Sequence, residues 1–217
     1  MKKLIIISTF IFLFTSVHAQ NENTQLQADV TKLDNANTVK DYQLLATDFL
    51  HIANEQKTQW LPYYYAALCN SKIGWLKQDS DPDNIESFAN TAEEEVIKAQ
   101  SLIDTAKQKK ELSEIYCVQM MVNQARVFIN PQTYGQKYGP TAFAYIQKAK
   151  QLNADNPRML YLSGWQKFAT PKMWGGDKTL AKQLLTRAKE KLAAESSASV
   201  EPHWGMKEVD DILKQLK

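Results

Sequence analysis

Cysteine and histidine are scarce in this chain of 217 residues, and their scarcity excludes several kinds of site. Cys69 and Cys117 are the only cysteines, too few for the disulfide framework of a small secreted domain. We expect two free thiols, although an exported protein could form one bridge. The three histidines have no ligand-spaced companions, whereas a zinc site needs three or four ligands. We therefore expect neither a metal ion nor another cofactor.

Signatures of catalysis are also missing from the sequence. It contains neither the G-x-S-x-G pattern nor a papain-like cysteine context. The stretch MWGGDKT (residues 173–179) resembles a phosphate loop, which has the pattern G-x-x-x-x-G-K-[ST] after a strand. Here Asp177 separates Gly176 from Lys178, and a predicted helix precedes the glycines. We interpret the stretch as a turn between helices and expect that the protein is not an enzyme.

Long apolar runs are absent except at the N-terminus. Lys2 and Lys3 precede the mostly apolar run Leu4–Phe14, and the small residues Val17 and Ala19 follow it. Positive charge, apolar core and cleavage site in this order indicate a secretory signal peptide, which is too short to span a membrane. The sequence thus predicts cleavage after Ala19 and a soluble periplasmic or secreted protein without a transmembrane segment.

The chain lacks an excess of either charge once residues 1–19 are removed. This step takes away two lysines and no acid, so that Lys+Arg falls from 26 to 24 against 24 Asp+Glu. A neutral chain without a basic run argues against a nucleic-acid partner, because such binding rests on phosphate neutralisation. The expected organisation is a signal peptide (1–19), a polar N-terminal segment (20–37) and one helical repeat domain (38–217).

Helical periodicity is present in nearly every segment after position 38, and no segment alternates as a strand does. The predicted helices span residues 39–55, 61–77, 84–106, 110–129, 140–152, 157–169, 178–194 and 206–216. Pro140 marks one of the predicted helix starts, because the first turn tolerates proline. In the polar segment, Leu26, Val30 and Leu33 are spaced for a single helical turn.

An alanine pattern recurs along these helices. Ala-x-x-x-aliphatic-x-x-Ala occurs at Ala46/Leu50/Ala53, Ala92/Val96/Ala99, Ala142/Ile146/Ala149 and Ala181/Leu185/Ala188. These spacings place each triplet on one helical face, where small residues allow a neighbouring helix to approach closely. The pattern resembles the second helix of the tetratricopeptide repeat (TPR). In the same register, the first helix of the next repeat would start at Pro157. Leu160 then takes the position of its bulky residue, and Gly164 that of its close-packing glycine. The resemblance implies an all-α array of about four helical hairpins, or eight helices.

Four blocks of the chain are similar to a group of small exported bacterial proteins with TPR-like helices and no assigned activity. The blocks are WLPYYYAAL (60–68), DNPRMLYLSG (155–164), TPKMWGGDK (170–178) and EPHWGMKEVDDIL (201–213). The resemblance covers roughly residues 38–215. It implies the fold and the export of the protein but no chemistry.

The TPR resemblance also implies a groove on the concave face of the array. Its register places groove positions at Tyr65, Cys69, Lys72, Arg158, Tyr161 and Trp165. Aromatic rings beside cations suit a bound peptide, although the same aromatics could equally fill the core. The favoured function is an exported, non-catalytic interaction module that binds a protein or peptide partner on this face.

A small-molecule carrier is the alternative hypothesis. Trp174 lies in an inserted loop, where it either plugs the edge of the repeat core or walls a ligand pocket. A pocket between loops 170–177 and 201–205 would be lined by Trp174, His203 and Trp204.

Overall fold

The computed structural model describes residues 24–216, and all regular secondary structure in this range is helical. Nine α-helices follow one another there: α1 (24–33), α2 (Val39–Glu55), α3 (Trp60–Leu76), α4 (Ile85–Ser101), α5 (Lys109–Ile129), α6 (Tyr134–Leu152), α7 (Pro157–Ala169), α8 (Lys178–Leu192) and α9 (Met206–Gln215). The predicted all-α fold class is confirmed. The predicted signal peptide and its cleavage point after Ala19 lie outside the described residues.

The helices pack as consecutive pairs. Helix α3 packs along α4, α5 along α6, and α7 along α8. The first helices of these pairs form one layer, since α5 contacts both α3 and α7. Helix α2 packs against α3 at one end of the array, and α9 packs against α8 and reaches back to α3 through the ion pair of Glu208 with Lys72. This is the array of helical hairpins that the alanine pattern predicts.

The alanine triplets explain why the pairs pack closely. Every side chain in the triplets of α4, α6 and α8 is at most 1% exposed. Gly164 of α7 faces the triplet of α8, where an added Cβ would lie 2.7 Å from Leu185 Cγ. A side chain at this position would therefore overlap a fully buried leucine, and only glycine allows the observed approach of α7 to α8.

Short polar side chains cap the starts of two helices. Thr38 Oγ1 accepts a hydrogen bond from the backbone N–H of Asp41 (3.1 Å), and Asp41 Oδ2 accepts one from the N–H of Thr38 (2.9 Å). This reciprocal pair is a capping box at the start of α2. Asp177 Oδ1 accepts from the N–H of Leu180 (2.9 Å) and caps α8, which confirms that MWGGDKT is a turn.

Two helix boundaries differ from the prediction. Helix α4 ends at Ser101 instead of near residue 106, because Asp104 Oδ1 accepts hydrogen bonds from two following backbone N–H groups and stabilises a turn. Helix α6 begins at Tyr134, so that Pro140 lies inside the helix instead of starting it. Pro140 is exposed, and its missing N–H removes one hydrogen bond from the solvent side of the helix.

Helix α1 is longer than the single turn predicted in the polar N-terminal segment. Leu26, Val30 and Leu33 are all buried and belong to the main hydrophobic core. Asp29 on the same helix is also buried, and its Oδ1 lies 2.6 Å from Lys32 Nζ, which neutralises it. Helix α1 is therefore part of the folded array.

Both cysteines are free and buried, as predicted. Burial raises the pKa of the Cys69 and Cys117 thiols well above the ordinary value, since desolvation disfavours the thiolate. The two residues act as small apolar core side chains.

Candidate functional site

The first helices α3, α5 and α7 each present a stripe of side chains to the face that the sequence predicts to be concave. The stripes contain Tyr65, Lys72 and Trp75 on α3, Glu114, Met121 and Phe128 on α5, and Arg158, Tyr161, Trp165 and Phe168 on α7. Spacings of three, four and seven keep each stripe on one side of its helix. The residues after α8, 193–216, fold over the N-terminal parts of these stripes, and we call them the C-terminal segment.

The C-terminal segment contacts two of the three predicted groove residues of α3, Tyr65 and Lys72. The Tyr65 hydroxyl donates to the backbone carbonyl of Val200 (2.8 Å). The Lys72 ammonium forms an ion pair with Glu208 of α9, and its Nζ lies 5.1 Å from the ring centroid of Trp204. Both side chains are buried against the protein's own chain. Their predicted assignment to an open peptide groove is therefore corrected.

Arg158 is the centre of a buried charge network. Its guanidinium donates to both carboxylate oxygens of Glu114 at 2.7–3.2 Å and forms an ion pair with Glu195. Asn156 Nδ2 donates to the same Glu114 carboxylate (2.8 Å). Burial would lower the pKa of Arg158, but the charges and hydrogen bonds of the two carboxylates raise it. Arg158 therefore holds the array together and is not free to bind a peptide.

Trp204 occupies the space in front of Tyr64 and Tyr161. Its Nε1–H donates to the Tyr64 hydroxyl (2.8 Å), and its ring meets that of Tyr161 edge-on, with centroids 6.2 Å apart. Of the six predicted groove residues, Tyr65, Lys72, Arg158 and Tyr161 are thus covered by the C-terminal segment, and Cys69 is buried in the core. The sixth, Trp165, remains half-buried.

The predicted pocket between the loops of Trp174 and Trp204 is not formed. Trp204 packs on Tyr161 near the start of α7, whereas Trp174 follows the end of this helix, and Tyr161 and Ala169 are about 12 Å apart along the helix axis. His203 and Trp204 instead line a cleft of about 540 Å³ together with residues of α1–α3 and α9. None of residues 170–177 lines this cleft. The fold thus separates Trp174 from His203 and Trp204.

Beyond the C-terminal segment, Trp75, Phe128 and Trp165 form a half-buried cluster that we call the aromatic surface. The centroids of Trp75 and Trp165 are 4.6 Å apart, and Phe128 meets them edge-on at 5.5 and 6.1 Å. Trp75 Nε1–H donates to the carbonyl of Met121 (3.0 Å), which fixes the orientation of the indole. Phe168, one turn after Trp165, is also half-buried and extends the stripe.

The turn of residues 171–176 is held at the end of α7 that carries this surface. Gly175 has a φ of +92°, a left-handed conformation that favours glycine. A Cβ on Gly176 would lie 1.8 Å from the carbonyl oxygen of Thr170. Lys167 Nζ donates to the carbonyl of Gly175 (2.8 Å) and ties the turn back to the helix. The two glycines therefore specify a closed, defined turn.

Met173 and Trp174 project from this turn and are 82% and 73% exposed. Adjacent large apolar side chains in water are typical of a binding surface. Lys172 is exposed in the same turn, and Lys178 Nζ lies 6.0 Å from the ring centroid of Phe168. The combination of flat rings and cations suits a flat apolar ligand with anionic groups.

The cleft at Trp204 differs from the aromatic surface because charged side chains of both signs line it. Its lining includes the acids Asp34, Glu208, Asp210 and Asp211 and the lysines Lys72, Lys207 and Lys214. The charges pair with one another: His203 Nε2 lies 3.1 Å from Asp34 Oδ1, and Asp211 binds two of the lysines at 2.9 and 3.4 Å. The cleft therefore has no surplus of positive charge for an anionic ligand.

Trp75 and Phe128 were not among the site residues predicted from the sequence. A signal for Trp75 was present, because it lies three residues after the predicted groove residue Lys72 and continues the same helical stripe. Phe128 gave no such signal, because the helix that carries it matched no repeat register.

The described part of the chain contains neither a metal-binding cluster nor a membrane-spanning helix. Within residues 24–216, no group of three or more His, Cys, Asp or Glu side chains is arranged to hold a metal ion. None of the helices in this range is both long and apolar enough to cross a membrane.

Among solved structures, the chain is similar to the HusA haemophore from Porphyromonas gingivalis. The two sequences are 30% identical, the match covers 88% of this chain and 90% of HusA, and the TM-score is 0.75. No model of a protein family matches the chain, and no curated protein does. A haemophore is a carrier and not an enzyme, which confirms the prediction of a non-catalytic protein.

Proposed function

The chain belongs to the family of the HusA haemophore, and on this premise we propose that it is an exported carrier of haem or a closely related porphyrin. We also propose that its helical pairs are TPR-like repeats, as the alanine pattern indicates. In this function the array is a rigid support that positions the ligand-binding side chains.

The observation that carries this proposal is the aromatic surface and the turn beside it. Haem is a flat conjugated ring with two apolar faces and two carboxylates at one edge. The indoles of Trp75 and Trp165 offer flat apolar area, and Trp174 adds a third, largely exposed indole. Lys172 and Lys178 can pair with the carboxylates. Few other parts of the described surface expose large apolar side chains next to one another.

The cleft at Trp204 is the weaker candidate for this ligand. Its volume of about 540 Å³ is suitable for a small molecule. However, a ligand with two carboxylates would meet Asp34, Glu208, Asp210 and Asp211 there, and it would have to break existing ion pairs to reach a lysine. Electrostatic complementarity therefore favours the aromatic surface.

The peptide-binding function is disfavoured because the predicted groove is already occupied. A peptide would have to displace Glu208 from Lys72 and Glu195 from Arg158, and the first displacement leaves the buried Lys72 ammonium without its carboxylate. Breaking a buried ion pair in this way costs about 3–5 kcal/mol.

Haem titration of the mature protein and of Trp174→Ala tests the proposed function. Trp174 is largely exposed, so its removal should leave the thermal stability unchanged while haem affinity falls by about tenfold or more. Phe143→Ala is the matched control, since Phe143 is a 52% exposed aromatic on α6, outside the aromatic surface, and its removal should change neither quantity. Absence of haem binding by the wild-type protein, or equal affinity in all three proteins, would contradict the proposal.

Export is tested separately by the intact mass of the protein recovered from the cell envelope or medium. A mature chain that begins near Gln20 is expected, and a functional protein that retains Met1 would contradict export.

A further inference from the structure

We propose that the turn of residues 171–176 docks the protein on the surface of an anionic lipid bilayer, with Met173 and Trp174 inserted at the lipid boundary. This inference goes beyond the proposed function, and its test contains no haem. The proposed haem site uses Trp174 but leaves Met173 without a role. Met173 nevertheless has the highest exposed fraction, 82%, of the large apolar side chains in the described range.

The backbone of the turn is already hydrogen-bonded within itself. The N–H of Trp174 donates to the carbonyl of Pro171 (2.9 Å), and the N–H of Gly175 donates to the carbonyl of Lys172 (3.1 Å). The N–H of Gly176 also donates to the carbonyl of Pro171 (3.1 Å). Unpaired backbone groups are costly in lipid, so these bonds lower the cost of bringing the turn to a bilayer surface.

Lysines without carboxylate partners surround the turn. Residues 167–182 contain four lysines and one acid, Asp177, in a mature chain that is expected to be neutral overall. Lys172, Lys178 and Lys182 are exposed, and none of the three forms an ion pair within residues 24–216. Lys178 and Lys182 are four residues apart and therefore lie on the same face of α8.

The cations in the second half of α8 are paired instead. Arg187 and Lys191 lie 3.2 and 3.3 Å from the carboxylate of Asp155, and Lys189 lies 2.6 Å from that of Asp210. On this helix, positive charge that is free for an outside partner is therefore confined to the end next to the turn.

The combination of two projecting apolar side chains with free lysines suits lipid better than a protein partner. Protein interfaces are depleted of lysine and bury about 800 Å² on each partner, which two side chains do not supply. Anionic headgroups attract lysines, and the indole of tryptophan prefers the boundary between lipid tails and water. Apolar insertion and charge attraction together give reversible membrane binding, where either one alone is weak.

Docking by this turn would also orient the array on the bilayer. Lys167 Nζ donates to the carbonyl of Gly175 and holds the turn at the end of α7 that carries Trp165. The aromatic surface would therefore face the lipid boundary, where an amphiphilic ring with two carboxylates also collects.

Vesicle cosedimentation in the absence of haem tests the docking. Mature wild-type protein is mixed with vesicles of phosphatidylcholine alone, or of phosphatidylcholine and phosphatidylglycerol in equal amounts. We expect binding to the anionic vesicles and binding weaker by about tenfold or more to the neutral ones, because the lysines supply much of the attraction. High salt should release the protein from the anionic vesicles for the same reason.

Met173→Ser and Lys182→Glu each remove one contribution, and neither residue belongs to the proposed haem site. Each variant should bind the anionic vesicles more weakly by about fivefold or more, with unchanged thermal stability because both side chains are exposed. Ile97→Ser and Lys40→Glu are the matched controls. They remove an exposed apolar side chain of α4 and reverse an exposed lysine of α2, away from the turn, and both should bind as wild type does.

Insertion is distinguished from adsorption by lipids with brominated acyl chains, which quench tryptophan fluorescence at contact distance. Anionic vesicles made with these lipids should quench part of the emission of wild-type protein and less of the emission of Trp174→Phe. Trp174 is the tryptophan concerned because it is 73% exposed, whereas the other four are half-buried or buried.

Several results would overturn the inference. They are a lack of binding to anionic vesicles, binding by Met173→Ser and Lys182→Glu that equals that of the controls, and a lack of quenching by brominated lipids. Wild-type protein that sediments as a dimer, with Met173→Ser as a monomer, would show that a second copy covers the turn and would also overturn it. Haem titration without lipid tests the proposed function separately, so either conclusion can fail while the other stands.

Discussion

Replacement of Glu95 by Gln should remove a pH dependence that is built into the helical array. Glu95 of α4 is 6% exposed, and both of its carboxylate oxygens accept hydrogen bonds from Asn70 Nδ2 of α3, at 3.3 and 3.0 Å. Burial raises the pKa of Glu95 from 4.5 to about 7, against the smaller opposing effect of the Asn70 hydrogen bonds. The nearby charge of Glu94 raises it further.

The sign and size of the effect follow from the two pKa values of Glu95. In the unfolded chain the carboxyl ionises near pH 4.5, and in the folded protein it ionises near pH 7. The folded state therefore binds the proton more tightly, and stability that is present below pH 4.5 is lost as the pH rises through 7. Each pH unit between these values costs about 1.4 kcal/mol, which gives a loss of about 3 kcal/mol by pH 8.

Urea unfolding of wild-type protein and Glu95→Gln at pH 4.5 and pH 8 measures this loss. The glutamine cannot ionise, so the stability of the variant relative to wild type should rise by about 3 kcal/mol between the two pH values. Glu94→Gln is the control, because Glu94 is exposed and the variant should keep nearly the wild-type pH dependence. A relative stability of Glu95→Gln that is the same at both pH values would refute the reasoning.

Two further predictions concern the close packing of helix pairs, and both are measured as the free energy of unfolding. Gly164→Ala should destabilise the protein by about 1 kcal/mol, because overlap with Leu185 costs about 1–3 kcal/mol and helix propensity returns at most about 1 kcal/mol. Gly139→Ala, which has open space around it, should be neutral or stabilising, and equal effects at both glycines would contradict the packing argument. Ala149→Leu should destabilise by about 1–3 kcal/mol, whereas Ala144→Leu on the exposed side of the same helix should not, and unchanged stability in both would mean that the alanine pattern is coincidental.

The helices and their pairing were predictable because the signals for them are local in the sequence. Small residues at spacings of four and three identify the buried face of a helix, and Asp177 and Thr38 cap helices through bonds that reach only three residues along the chain. The exceptions were also local in cause. Helix α6 already begins at Tyr134, so Pro140 lies inside it. Helix α4 ends early because the side chain of Asp104 bonds to following backbone N–H groups.

The candidate site was only partly predictable. Trp165 and Trp174 were recognised as unusual from the sequence, but their neighbours Trp75 and Phe128 were not. Trp75 and Trp165 are 90 positions apart in the chain, and their ring contact at 4.6 Å exists only because α3 and α7 both pack on α5. No pattern within one helix records such a contact.

Residues within one or two helical turns of one another specify the all-α array, the faces by which its helices pair and the starts of several helices, so these features could be predicted from the sequence. Which part of the inner face is open depends on contacts between distant parts of the chain. Glu208 reaches Lys72 across 136 positions and Trp204 reaches Tyr64 across 140, so the C-terminal segment covers one half of that face. A register argument identifies the residues that point to the groove, but it carries no information on a distant segment that folds back to fill it.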